Sequence, residues 1–159
     1  MRLSFIMLAS FMFSMAAAVD SVDVYVFGLS HHMNRSVDWN EKNPGLALGF
    51  SHQIEENSRL DVTVEAGTYK DSYSQQARFA LLGVRCYAIG ERQSLHGTIQ
   101  GGIGYYEGSG FHGIGFSANV ALGYNRVDLC LTGYPSSGSS DPDQCGWYAV
   151  FLRIRALDF

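Results

Sequence analysis

Between Gly113 and Tyr124 the chain alternates without a break. Ile114, Phe116, Ala118, Val120, Leu122 and Tyr124 share one parity, while Gly113, Gly115, Ser117, Asn119, Ala121 and Gly123 share the other. Successive side chains of a strand point to opposite faces, so this segment predicts a strand with one large apolar face and one small or polar face. Leu95 to Tyr105 repeats the pattern, with Leu95, Ile99, Ile103 and Tyr105 opposite His96, Thr98, Gln100, Gly102 and Gly104. So does Arg59 to Tyr69, where Leu60, Val62, Val64, Ala66 and Thr68 oppose Asp61, Thr63, Glu65, Gly67 and Tyr69. A greasy face suits lipid and a small polar face suits a lumen, which points to a barrel that crosses a membrane.

Five further segments near 22–32, 45–54, 76–87, 126–134 and 147–158 bring the predicted strands to eight, an even number that puts both chain ends on one side. The fold class is therefore an all-β, eight-stranded antiparallel transmembrane β-barrel over residues 19–159. Its turns divide into two kinds. Glu55-Glu56-Asn57-Ser58, Gly90-Glu91-Arg92 and Asn125 are short and predicted to face the periplasm, whereas 33–44, 70–75, 106–111 and 135–146 are predicted to form the outer rim. A soluble barrel would also alternate, but it would have to fill its core with Gly101, Gly102, Gly104, Gly113, Gly115 and Gly123, and close packing rewards volume. In a membrane barrel those glycines are expected to hollow part of the interior for a long, narrow ligand.

Residues 1–18 read as an export signal. Arg2 supplies the positive start, Leu3 to Met15 an apolar run too short to span a bilayer, and Ala16-Ala17-Ala18 a cleavage site before Val19. The segment holds only one of the 11 Lys and Arg residues and none of the 15 Asp and Glu, so the chain beyond it is mildly acidic. No basic stripe runs along it, which argues against nucleic acid as a partner. Export permits a disulfide, and the spacing leaves open whether Cys130 and Cys145 are bridged, with Cys86 free and inward-facing. No cysteine or histidine pair has zinc-ligand spacing, and no cofactor motif is present.

In the last strand Val150, Leu152 and Ile154 are outward, but Phe159 shares the parity of Arg153 and Arg155. A bulge near Ala156 would reverse the register. Without one, the terminal aromatic ring points inward, and the sequence leaves the choice open. Tyr105, Tyr106, Phe111 and Trp147 are expected at an outer aromatic girdle. Arg35, Arg78 and Arg85 have two readings, as contacts to lipid phosphates or as members of an internal ion network. Arg126 or Arg153 would be balanced across the lumen by Asp61, Glu65 or Asp128.

The outer ends of the first three strands carry the polar residues of interest. His31 and His32 end the first, Asn40-Glu41-Lys42-Asn43-Pro44-Gly45 leads into the second, and Tyr69-Lys70-Asp71-Ser72 closes the third. Neighbouring strands running up, down and up bring all three segments to one rim. A histidine, an aspartate and a serine there suit acyl transfer: the imidazole takes a proton from an attacking hydroxyl, the carboxylate orients the ring, and a hydroxyl supports oxyanion charge. The Gly-x-Ser-x-Gly context of a soluble hydrolase is absent.

These three ordered segments resemble the lipid A palmitoyltransferase family of Gram-negative outer membranes. The resemblance lies in residues 30–73. It implies an outer-membrane monomer that moves a palmitoyl chain from a phospholipid donor to lipid A or a related glycolipid, with no cofactor and no metal. It assigns catalytic roles to His32 or His31, Asp71 and Ser72, and gives Lys42 the place of a substrate-binding basic residue. His32 is favoured over His31 because it shares a face with Gly28 and Ser30. The family's amphipathic N-terminal helix has no counterpart here, and the stretch between the histidines and Asn40 is shorter than the family pattern. The alternative to an enzyme is a small barrel that stabilises the envelope or binds a surface partner through 33–44 and 135–146.

Overall fold

The computed structural model describes residues 19–33, 38–56, 58–108, 111–134 and 147–159. The predicted export signal and Cys145 lie outside them. Eight antiparallel strands close into one barrel: β1 (Ser21–His32), β2 (Lys42–Gln53), β3 (Leu60–Lys70), β4 (Gln76–Gly90), β5 (Leu95–Gly108), β6 (Phe111–Tyr124), β7 (Val127–Tyr134) and β8 (Trp147–Asp158). Each strand pairs with its neighbours in sequence, and β1 pairs with β8 to close the sheet. Closure leaves no edge to be covered. This is the predicted architecture, with an apolar exterior consistent with an outer-membrane barrel fold.

The long-loop end differs from expectation in its boundaries. Lys42 is the first residue of β2 rather than a loop residue, and the expected loop 106–111 shrinks because β5 runs to Gly108 and β6 starts at Phe111. At the other end the connections are tight. Gly90 closes β4 with φ of 70°, a conformation that L side chains rarely adopt. Asn125 turns β6 into β7 with φ of 56°, which a short polar side chain tolerates.

Parity sorts the side chains. Leu46, Leu48 and Phe50 on β2, Leu82 and Val84 on β4, Ile99 and Ile103 on β5, and Ile114, Phe116, Val120 and Leu122 on β6 are all exposed on the outer surface. Two of the sheet's register shifts, both in the pairing of β1 with β8, keep that sorting intact. On β8 the pairing with β1 steps from Asp23↔Arg155 to Val22↔Leu157, leaving Ala156 as the extra residue of a bulge. Leu157 and Phe159 are thereby returned to the exposed face. On β1 the pairing shifts between Phe27 and Leu29, with Gly28 as the bulged residue. Tyr25 and Phe27 point inward before it, while Leu29 points outward and His32 inward after it. The bulge is what allows large inward rings and an inward His32 on one strand.

The lumen is packed, which corrects the expectation of a glycine-lined hollow. Near the long-loop end Phe27 lies against Phe79 in an edge-to-face contact of 5.7 Å between ring centroids, from strands three apart around the barrel. Tyr69 and Phe151 flank Phe27 at 5.6 and 5.3 Å, and Tyr106 stacks on Phe79 at 6.3 Å. Tyr106 is therefore inside, not in the outer girdle. The glycines make room for these neighbours. A Cβ on Gly49 would meet the Tyr25 ring at 2.8 Å, and one on Gly115 would meet the Tyr106 ring at 3.2 Å.

Below the rings the lumen is ionic. Arg85 donates to Asp23 Oδ2 at 2.7 Å, to the Tyr25 hydroxyl at 3.1 Å and to Gln100 Oε1 at 3.1 Å. Tyr25 in turn donates to Glu65 at 2.6 Å. Arg153 donates to Asp128, Gln100 and Thr98, and His96 Nε2 lies 2.7 Å from Asp128 Oδ1. Arg92 pairs with Asp61, and Arg155 donates to the Tyr87 hydroxyl at 2.5 Å. The expected balance of Arg153 by Asp128 is present, whereas Arg126 pairs with Asp158 at the exposed chain end. Arg85 belongs to the internal network rather than to a lipid surface, and Arg35 lies outside the described residues. Cys130 is a buried free thiol, whereas the free Cys86 shares the outward face with its register partners Leu60 and Ile99, which corrects its expected inward position.

Removing one member of such a network strands its partner as a buried, unpaired charge. Arg85→Met should lower barrel stability by about 3–5 kcal/mol. Arg126→Met, on an exposed pair, should cost at most about 1 kcal/mol. Urea unfolding in detergent micelles, followed by the gel shift between folded and heated barrel, measures both.

Candidate functional site

The three rim segments meet. β1 delivers His31 and His32 at its end, β2 begins just after Asn40 and Glu41, and β3 delivers Tyr69 and Lys70 before the 71–75 turn. His32 is buried and its Nε2 lies 3.0 Å from Ser72 Oγ. Its ring stacks on Trp39 at 4.9 Å, and Trp39 meets Tyr73 edge-on at 5.3 Å. His31 takes a different environment: its Nδ1 lies 3.0 Å from Glu41 Oε1, and its ring packs against Tyr148 at 5.2 Å. Of the two histidines, His32 is the one joined to Ser72.

Asp71 is buried beside Ser72. Its Oδ1 accepts the main-chain N–H of Tyr73 at 3.0 Å and of Gln75 at 2.7 Å, and its own N–H donates to the Gln75 carbonyl. A carboxylate that caps its own turn in this way fixes the path of the following residues. The structure thus brings His32 and Ser72 into direct contact, with Asp71 as the neighbour that shapes the Ser72 turn. Lys42 is exposed and outward-facing at the start of β2.

Asn40 and Asn43, which the sequence presents only within the rim motif, tie the rim together. Asn40 Nδ2 donates to both the Lys42 and the Asp71 carbonyls at 2.8 Å, and its main-chain N–H donates to the Ser72 carbonyl at 2.9 Å. Asn43 Nδ2 donates to the Lys70 carbonyl at 2.9 Å. The available signal was an asparagine on each side of a polar strand start, where its amide can satisfy main-chain groups that no ladder reaches. Among the described residues no group of three or more His, Cys, Asp and Glu side chains could hold a metal ion.

Chemically, the rim offers an imidazole bonded to a hydroxyl, held under an indole ring. Beneath it stand the rings of Phe27, Phe79 and Tyr69, so a molecule that touches His32 approaches from the rim rather than from within the barrel.

No protein-family model matches the sequence, and no curated protein is significantly similar to it. Among solved structures, the N-terminal β-barrel domain of Pseudomonas aeruginosa OprF is similar, with 13% identity and a TM-score of 0.47, covering 86% of this chain and 97% of that one.

Asn40 serves several main-chain partners at once, so its loss should act locally. Asn40→Ala is expected to lower protection of the Lys42 amide, which donates to Asn40 Oδ1 at 3.2 Å, by about 5–30-fold against hydrogen exchange, from the loss of roughly 1–2 kcal/mol of local hydrogen bonding. Mid-strand amides of β5 and β6 should exchange as in the wild type, which the same experiment reports.

Proposed function

We propose that this protein is a small outer-membrane β-barrel whose filled body is a rigid anchor and whose rim carries the activity at the surface, in envelope stabilisation or partner binding. The observation that carries this reading is the contact of Phe27 with Phe79 across the lumen. Together with Tyr69, Phe151 and Tyr106 it occupies the space in which a conducting path or a long internal ligand would run. The exposed aliphatic exterior supports a membrane location, because a contiguous apolar surface of this extent is costly in water. Residues 1–18 are proposed as the export signal and 19–159 as a monomeric barrel.

A second reading is acyl transfer at the rim, favoured by the 3.0 Å contact of His32 Nε2 with Ser72 Oγ and by the resemblance of residues 30–73. In that reading His32 accepts the proton of a lipid A hydroxyl as the hydroxyl attacks the ester carbonyl of a phospholipid. The lysophospholipid leaves as an alkoxide and takes that proton back, so no cofactor is needed. Ser72 supports the developing oxyanion and Asp71 keeps Ser72 in place, while His31, bonded to Glu41, is a support of the same rim. The acyl chain would lie along the lipid-facing surface, since the rings fill the lumen.

Mass spectrometry of lipid A from cells with and without the protein separates the two. The anchor reading expects an identical acylation pattern while the heat-modifiable barrel is present in the membrane fraction. One additional acyl group would overturn it in favour of transfer, and His32→Ala should then lower transfer by about 10²–10⁴-fold with the barrel still folded.

A further inference from the structure

Three exposed cations stand at the long-loop ends of three successive strands: Lys42 on β2, Lys70 on β3 and Arg78 on β4. All three face outward. Lys42 has the parity of Leu46, Leu48 and Phe50, Lys70 that of Val62, Val64 and Ala66, and Arg78 that of Ala80, Leu82 and Val84. Each cation thus sits directly above an apolar column, at the level where a lipid changes from tail to head group. Arg78 pairs in register with Thr68, two residues from Lys70 on the same face, so the two charges are diagonal neighbours.

The arrangement is built rather than incidental. The Asn43 amide holds the Lys70 carbonyl, and the Asn40 amide holds the Lys42 and Asp71 carbonyls, so the main chain that carries the two lysines is tied together. Like charges gathered on one face of a sheet repel, which favours an anion among them. Asp71 is spent on its own turn, and Glu41 is bonded to His31. Glu107 is the register partner of Arg78, but among the described residues none of the three cations makes an ion pair within 4.0 Å.

We propose that the long-loop end of β2–β4 is a docking face for the phosphate of an anionic lipid head group, gripped by Lys42, Lys70 and Arg78 while the acyl chains lie on the apolar columns beneath. The lipid is favoured over a free phosphate because the charges stand on a surface made for tails. This inference rests on the membrane-barrel reading above.

The folded full-length barrel in detergent, given equal parts phosphatidylglycerol and phosphatidylcholine, is examined by native mass spectrometry. The wild type should retain phosphatidylglycerol preferentially, and Lys42→Gln, Lys70→Gln and Arg78→Gln should each lower that retention by about fivefold, the effect of one cation near an anionic surface. The triple variant should show no preference, while Arg126→Gln at the opposite end should keep it. An undiminished preference in the triple variant, with the folded gel band intact, overturns the proposal. So does loss of the lipid from the wild type on adding millimolar inorganic phosphate, which would make this a free-anion site. Recovery of the native protein outside the membrane fraction would instead overturn the membrane-barrel reading, and is measured separately.

Discussion

The pair of buried guanidinium groups, Arg85 and Arg153, is the constraint on which the rest of the barrel depends. Both reach Gln100 Oε1 at 3.1 Å, one from β4 and one from β8, so a single amide oxygen joins two halves of the wall. Through Arg85 the network extends to Asp23 on β1 and, by way of Tyr25, to Glu65 on β3. Through Arg153 it extends to Thr98 on β5 and to Asp128 on β7, which also receives His96. Buried charges are costly unless paired and hydrogen-bonded, and here the pairing runs around the wall. Six strands cannot slide in register without breaking it. The network adds to specificity of closure what the repetitive strand ladder alone leaves weakly determined.

The aromatic half of the lumen follows from the ionic half. Once the centre is occupied by arginines and acids, the space toward the long loops must be closed against water if those ion pairs are to keep their strength. Phe27, Phe79, Tyr69, Tyr106 and Phe151 do this. Their volume is accommodated by glycines on adjoining strands. Gly49 faces the Tyr25 ring and Gly115 the Tyr106 ring, so small and large residues alternate across the interior as a tapered barrel requires.

Strand number, order and faces were legible in the sequence because period-2 alternation is a local signal that each strand carries by itself. Lumen content was not. Gly102, Gly104 and Gly115 read as empty space in a single strand, but their meaning depends on the neighbour's side chain, which the sequence does not place. Two bulges mark the same boundary. Ala156 was inferable because the parity of Phe159 conflicted with that of Leu152 and Ile154. Gly28 produced no such conflict, and its effect on Phe27 and His32 emerges only in the pairing with Phe151 and Val150. At the rim, chain topology was enough to bring His32 and Ser72 to one place. The turn bonds of Asp71 to the Tyr73 and Gln75 amides were not legible, since they depend on a turn geometry that the sequence does not spell out.

A filled lumen also changes what the rim can mean. With the centre filled, what distinguishes one side of the barrel from another lies around the circumference. Such differences are present. The long-loop ends of β2, β3 and β4 carry exposed Lys42, Lys70 and Arg78, whereas those of β5, β6 and β8 carry exposed Tyr105, Phe111, Trp147 and Tyr148. Amphipathic rings settle at a lipid interface without regard to head-group charge, while fixed cations discriminate by it. His32 lies where the two arcs meet, beside Trp147 in the register of β1 with β8, and Ser72 reaches it from the end of β3 in the cationic arc. The barrel therefore has a front and a back, and the polar site sits at the seam between them.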